Sequence, residues 1–179
     1  MDITRPLHSQ DIQSFLLWMP NWIGDVVLTL PVIQSLRRAY PVARIFVVAK
    51  SPSYELLLGH PAIDTVLILP SGPEIKFWQK VGFARSLKNY RLDVGAVFPN
   101  SFGSAFLLSL TGAKCRLGYN TDARDILLTH PVTTTTHLKK AQYRVEYYFK
   151  IFSSLKMDAP DHKFASLNAQ EGDISIREV

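Results

Sequence analysis

The chain has 179 residues, of which 47% are hydrophobic and 20% charged; this composition suits one folded domain and excludes a wholly disordered chain. Its single cysteine, Cys115, excludes an internal disulfide and a zinc site built from several cysteines. The formal charge of +5 favours anionic partners without selecting one.

Strand-like and helix-like segments alternate along the chain. A short apolar run at 15–19 predicts a buried strand. Apolar residues at helical spacing over 25–40 predict the first helix, which Pro31 either kinks or restarts. Residues 120–136 look irregular. The other predicted elements, in chain order, are a strand at 44–49, a short helix at 52–58, a strand at 65–69, a helix at 75–90, a strand at 92–98, a helix at 102–110, a strand at 115–119 and a helix at 139–155.

This alternation predicts an α/β fold: a Rossmann-like, doubly wound parallel sheet covered by helices on both faces. We expect an N-terminal extension at 1–14, the Rossmann-like domain at 15–157, and a polar tail at 158–179. The apolar stretch near the N-terminus is interrupted too often for a membrane span or a signal peptide, so we expect a cytoplasmic protein. Ligands of such sheets bind beyond the carboxyl ends of the strands, so residues just after each strand are the candidates.

The segment after the first strand contains Asn21, Gly24 and Asp25. Gly24 would permit a tight turn or a close approach to a ligand. Asp25 has two alternative roles: position alone favours a helix N-cap, while a carboxylate at the mouth of a site suits a general base. With one glycine, the segment lacks the dinucleotide-binding fingerprint.

Two later strand ends carry further candidates. Asn100 and Ser101 suit the cap of the next helix, or the helix N-terminus could hold an anion. Arg124 could clamp a phosphate or carboxylate, or could form a local ion pair with Asp122 or Asp125. The basic residues of 75–90 are typical of a solvated helix face, and no nucleic-acid motif is present, so we expect no nucleic-acid partner. The five histidines lack metal-ligand spacing, so we expect no metal.

Three stretches together resemble a known family. They are MPNWIGDVVLTLPVIQSLRRAYPVARIFVVA, YRLDVGAVFPNSFGSAFLLSLTGAKCRLGYNTDARDILLT and YRVEYYF. Their order and spacing are similar to the N-terminal half of the bacterial ADP-heptose:lipopolysaccharide heptosyltransferases, glycosyltransferase family 9, and the resemblance covers residues 15–157. The chain departs from the family at Gly103, where members often carry a basic residue.

The resemblance implies a GT-B architecture, of which this chain is the N-terminal, acceptor-binding domain. It implies an inverting transfer of L-glycero-D-manno-heptose from ADP-heptose to the lipopolysaccharide inner core, without a cofactor or metal. The expected partners are ADP-heptose, bound by a C-terminal domain that the chain lacks, and a lipid A–inner core acceptor at the inner membrane surface. Peripheral association with that membrane is a further option, and the chain alone is expected to be inactive.

The resemblance also implies roles for individual residues. Asp25 becomes the general base. The acceptor-binding set comprises Asn21, Gly24, Asn100, Ser101 and Arg124. The alternative is a non-catalytic Rossmann-like binding module for an anionic ligand, in which Asp25 is only a helix cap.

Overall fold

The computed structural model describes residues 12–133, 144–155 and 157–159. Within these residues six parallel strands form one sheet in the order β3-β2-β1-β4-β5-β6. The strands are β1 (Ser14–Trp18), β2 (Arg44–Ala49), β3 (Thr65–Ile68), β4 (Val94–Val97), β5 (Cys115–Tyr119) and β6 (His130–Val132). The predicted doubly wound parallel sheet is confirmed, and β6 is an addition inside the segment predicted to be irregular.

The helices follow the predicted order with shifted ends. They are α1 (Ile23–Ala39), α2 (Ser53–Leu57), α3 (Phe77–Ser86), α4 (Phe102–Leu110) and α5 (Arg144–Lys150), with 3₁₀ turns at Leu87–Tyr90 and Asp125–Leu127. Pro31 lies inside one continuous α1. The predicted helix at 75–90 is divided into α3 and the first 3₁₀ turn. Of the predicted helix at 139–155, residues 139–143 lie outside the described residues, and turns follow α5.

The strand order reverses at the centre of the sheet. β1 pairs with β2 on one side and with β4 on the other, and Trp18 is the residue of β1 opposite both Val48 and Val97. The chain therefore leaves β1 and β4 in opposite directions around the sheet, which opens a crevice beyond their carboxyl ends.

Each face of the sheet has its own core. Successive side chains of a strand point to opposite faces, so Phe15 and Leu17 of β1 pack with α1, α2 and α5. Leu16 and Trp18 pack with α3 and α4 on the other face. This double covering explains why the strands are apolar along their whole length.

Helix α4 lies close against β4 at Gly95. A Cβ atom added there would lie 2.7 Å from Leu108 Cδ1 and 3.0 Å from Ala113 Cβ, closer than side-chain atoms pack. Glycine is therefore required at this position by the helix that covers it.

The ends of the chain lie largely outside the described residues, including 1–11 of the predicted extension and 160–179 of the predicted tail. No helix within the described ranges is long and apolar enough to cross a membrane.

Candidate active site

A cavity of about 500 Å³ opens where the strand order reverses. Four segments line it: residues 20–22 and 25 after β1, 98–101 after β4, 121–122 after β5, and 144, 147 and 148 of α5. Three of the four are the strand ends that the sequence pattern singled out. The fourth segment lies at the cavity because α5 packs beside α1 on one face of the sheet.

Asp25 borders this cavity from the first turn of α1. The helix begins at Ile23, its N-cap is Trp22, and no side chain caps it. The interpretation of Asp25 as a cap is therefore wrong: two residues further in, its carboxylate is directed across to α5. There Arg144 Nη1 lies 3.2 Å from Asp25 Oδ1.

A tyrosine completes the surroundings of this carboxylate. Burial raises the pKa of the Tyr148 hydroxyl, and the negative charge of Asp25 and a hydrogen bond to it act in the same direction. The charge of Arg144 and a hydrogen bond to it lower the pKa of the same hydroxyl. The side chain of Asp25 is only 22% exposed, so these two groups of α5 hold a carboxylate that still borders the cavity.

Asn100 and Ser101, which follow β4, have different hydrogen-bond partners. Ser101 Oγ accepts a hydrogen bond from the Ser104 backbone N–H at 3.3 Å, so it caps α4 as predicted. Asn100 does not cap the helix, because its side-chain amide donates to the Tyr147 hydroxyl at 2.6 Å. The Tyr147 ring in turn stacks on Tyr119, with 4.3 Å between the ring centroids.

Arg124 lies beneath this cluster and is fully buried. Its Nε donates to the Tyr119 carbonyl at 2.6 Å and its Nη2 to Asn100 Oδ1 at 3.1 Å, while Nη1 donates to the Pro99 carbonyl. One guanidinium therefore ties the loop after β4 to the end of β5. Since it occupies the amide oxygen of Asn100, it turns the amide nitrogen towards Tyr147.

Neither role predicted for Arg124 agrees with this arrangement. The side chain does not border the cavity, so it cannot clamp a ligand there without leaving its three acceptors. Nor does it form an ion pair with Asp122 or Asp125 among the described residues. Burial lowers the pKa of the guanidinium. Arg124 is a residue that positions Asn100.

Of the two remaining predicted residues, one lines the cavity and the other does not. Asn21 lines the cavity. Gly24 is an ordinary helical residue outside the cavity lining, and an added Cβ would meet nothing within 4 Å, so the tight turn or close approach predicted for it is not seen.

Sequence reasoning did not single out the contribution of α5. Tyr147 and Tyr148 are buried, yet both also line the cavity. Arg144 was not considered. The available signal was the stretch YRVEYYF, which places this arginine at the start of a helix whose tyrosines are buried.

The arrangement suits proton transfer from a hydroxyl group. A carboxylate has two oxygens, so one can interact with Arg144 while the other accepts a proton from a ligand in the cavity. Among the described residues there is no group of three or more metal-ligating side chains.

Comparison with known proteins agrees with this fold. The sequence profile of glycosyltransferase family 9 (heptosyltransferase) matches residues 81–175. The lipooligosaccharide heptosyltransferase 2 of Haemophilus ducreyi is 28% identical over 143 residues, which are 79% of this chain and 40% of that protein. The lipopolysaccharide heptosyltransferase 2 of Escherichia coli K12 is 33% identical over 112 residues, which are 61% of this chain and 32% of that protein. The chain thus spans less than half the length of these relatives.

A solved structure shows the same architecture. The ADP-heptose lipopolysaccharide heptosyltransferase II of E. coli superposes with a TM-score of 0.72 at 23% identity, over 89% of this chain and 47% of that one. The fold and the cavity at its strand ends define a Rossmann-like α/β domain of the kind found in GT-B glycosyltransferases. The chain belongs to glycosyltransferase family 9, the heptosyltransferases.

Proposed function

We propose that this chain is the acceptor-binding domain of an inverting glycosyltransferase. The enzyme would move L-glycero-D-manno-heptose from ADP-heptose to the inner core of lipopolysaccharide. In this proposal residues 15–157 form the acceptor domain, and 158–179 lead towards a C-terminal domain that binds the donor. The chain by itself is then inactive, and it works in the cytoplasm at the surface of the inner membrane.

The observation that carries the proposal is the position of Asp25. Its carboxylate borders the cavity at the point where the strand order reverses, and ligands of doubly wound sheets bind there. Because Arg144 and Tyr148 hold it from one side, the carboxylate has a fixed place at the cavity wall.

The proposed chemistry is a single displacement. Asp25 accepts the proton of an acceptor hydroxyl while the oxygen of that hydroxyl attacks the anomeric carbon of the heptose. The bond between that carbon and the β-phosphate oxygen of ADP breaks, and ADP leaves from the opposite face with the bonding electrons. The configuration at the anomeric carbon is therefore inverted.

The other polar groups of the cavity would bind the acceptor. Asn21, Asn100 and Ser101 border the cavity and can form hydrogen bonds with sugar hydroxyls. Arg144 supplies a positive charge beside Asp25, which suits the phosphates and carboxylates of an inner-core acceptor. Arg124 contributes through Asn100.

The test compares two neutralised carboxylates in a two-domain protein, made by joining this chain to the C-terminal domain of a family member. Asp25→Asn removes the proposed base, and we expect the transfer rate to fall by about 10²–10⁴-fold. Asp125→Asn is the control, since it removes the same charge from an exposed residue outside the cavity. We expect acceptor binding to persist in both variants.

Two results would contradict the proposal. An Asp25→Asn protein that keeps the parent rate would show that Asp25 is not the base. Turnover of ADP-heptose by the 179-residue chain alone, with acceptor present, would show that it is more than an acceptor domain.

A further inference from the structure

Two neighbouring aromatic side chains project from the start of α3. Phe77 is 55% exposed and Trp78 is 64% exposed. The Phe77 ring stacks on Phe106 of α4, with 6.1 Å between centroids and 22° between planes. Stacking on α4 therefore holds Phe77, and both rings present apolar surface to solvent.

Lysines lie beside one of these rings and along the same segment. Lys76 Nζ lies 4.9 Å from the centroid of the Trp78 ring. Lys80 is close enough to Lys50 that its charge, after burial, helps to lower the pKa of that second lysine. Over 71–80 the only acidic residue is Glu74.

These cations have no anionic counterpart in the described part of the chain. None of the three lysines forms an ion pair there. A solvated helix face accounts for isolated lysines, but it does not account for two adjacent exposed aromatic rings placed between them. We name this set, Lys50, Lys76, Phe77, Trp78 and Lys80, the α3 patch.

Aromatic rings flanked by lysines match the chemistry of a bilayer surface. Indole and phenyl rings favour the level of the headgroups, where one part of the environment is apolar and the other wet. Lysine side chains pair with lipid phosphates while their methylene groups lie along apolar surface. A soluble anion would satisfy the lysines but would leave the rings in water.

We propose that the α3 patch docks the protein on an anionic lipid bilayer. The patch lies at the start of the helix that follows β3, and so at the same edge of the sheet as the cavity. Docking there turns the cavity towards the membrane. The purpose of this docking rests on the proposed function, because a lipid-linked acceptor lies in that membrane, but the binding itself requires neither donor nor acceptor.

The experiment is co-sedimentation of the 179-residue chain with vesicles. Vesicles of phosphatidylcholine alone are compared with vesicles containing about one third phosphatidylglycerol. We expect binding to the anionic vesicles only. The double variant Lys76→Gln/Lys80→Gln should bind about 25-fold more weakly, at about fivefold for each lysine. Trp78→Ala should also bind more weakly, although it changes no charge.

Matched controls lie elsewhere on the surface. Lys88→Gln removes an exposed lysine beyond the other end of α3, and Ile126→Ala removes an apolar side chain that is 79% exposed. Both should bind like the parent chain. All these positions are exposed or half-buried, and circular dichroism of each variant checks that it is folded.

Three results would overturn the proposal. They are equal binding to neutral and anionic vesicles, anionic binding that neither patch variant weakens, and binding that millimolar inorganic phosphate abolishes. The last would indicate a site for a free anion.

Failure of the docking surface and failure of the proposed function can be distinguished. In the two-domain protein, the patch variants should keep the parent rate on a water-soluble acceptor fragment without acyl chains. Asp25→Asn should lose that rate while still binding anionic vesicles.

Discussion

Replacement of Arg124 by methionine tests whether this residue is structural or faces a ligand. Methionine fills most of the same volume but removes the donor from three acceptors: the carbonyls of Pro99 and Tyr119 and the side-chain oxygen of Asn100. The Pro99 carbonyl keeps the Ser104 hydroxyl at 3.2 Å as a second donor, so two acceptors lose the partner that the structure gives them. A buried acceptor left without a partner costs about 1–3 kcal/mol. Part of this cost is offset, because a buried cation with no carboxylate partner among the described residues is removed at the same time.

We therefore expect the free energy of unfolding to fall by about 3 kcal/mol, which is a large share of the stability of an ordinary domain. The assay is urea denaturation of the 179-residue chain, followed by far-ultraviolet circular dichroism. Arg144→Met is the matched control. Its side chain is 41% exposed, and a partly exposed ion pair contributes at most about 1 kcal/mol.

The reasoning would be refuted if Arg124→Met unfolded within about 1 kcal/mol of the parent chain. It would also be refuted if the two variants were equally stable. Either result would mean that the Tyr119 carbonyl and the Asn100 side-chain oxygen are satisfied by other groups once the guanidinium is gone, and that Arg124 is available for a ligand.

Three further predictions concern stability. Gly95→Ala should lower the free energy of unfolding by about 1–3 kcal/mol, because the new methyl group overlaps Leu108. Gly103→Ala, where the methyl group meets nothing within 4 Å, is the matched control. It lies in the first turn of α4 and should not lower the free energy of unfolding, since alanine favours a helix over glycine; equal losses in the two variants would contradict this. His60 is buried, its Nε2 has no partner among the described residues, and burial lowers its pKa below 6.5. Below pH 6.5 His60 therefore binds a proton in the unfolded chain while it stays neutral in the folded chain. Stability should fall from pH 7 to pH 5 more steeply in the parent chain than in His60→Asn, and parallel urea midpoints across this range would exclude the effect.

The strongest local patterns gave the most accurate predictions of the fold. The predicted ranges of β2, β5 and α4 agree with the structure at both ends. For β2 and α4 the reason is a mostly apolar run with clear punctuation on either side, whereas β5 contains Arg116 and Gly118 and is a weaker pattern. β6 was missed because it has three residues and contains Pro131. A proline lacks the backbone donor that an inner strand needs, so it is typical of edge strands and weak as a strand signal.

The candidate site was predictable only as far as the topology determines it. The rule that ligands bind after parallel strands placed Asp25 and Asn100 together, and both border the cavity. The partner of Asp25 is separated from it by 119 residues, and only the packing of α5 beside α1 brings Arg144 there. Arg124 was misjudged because burial is a property of the assembled fold. Its sequence neighbours include two aspartates, Asp122 and Asp125, and nothing local shows that it lies beneath a loop.

The separation between Asp25 and Arg144 also determines the order in which the site is assembled. As the chain leaves the ribosome, the six strands of the sheet emerge before α5, because the last of them ends at Val132 and α5 begins at Arg144. The cavity then lacks one wall, and Asp25 lacks its cation. The site is finished only when α5 docks, so local unfolding of this one short helix is enough to dismantle the site.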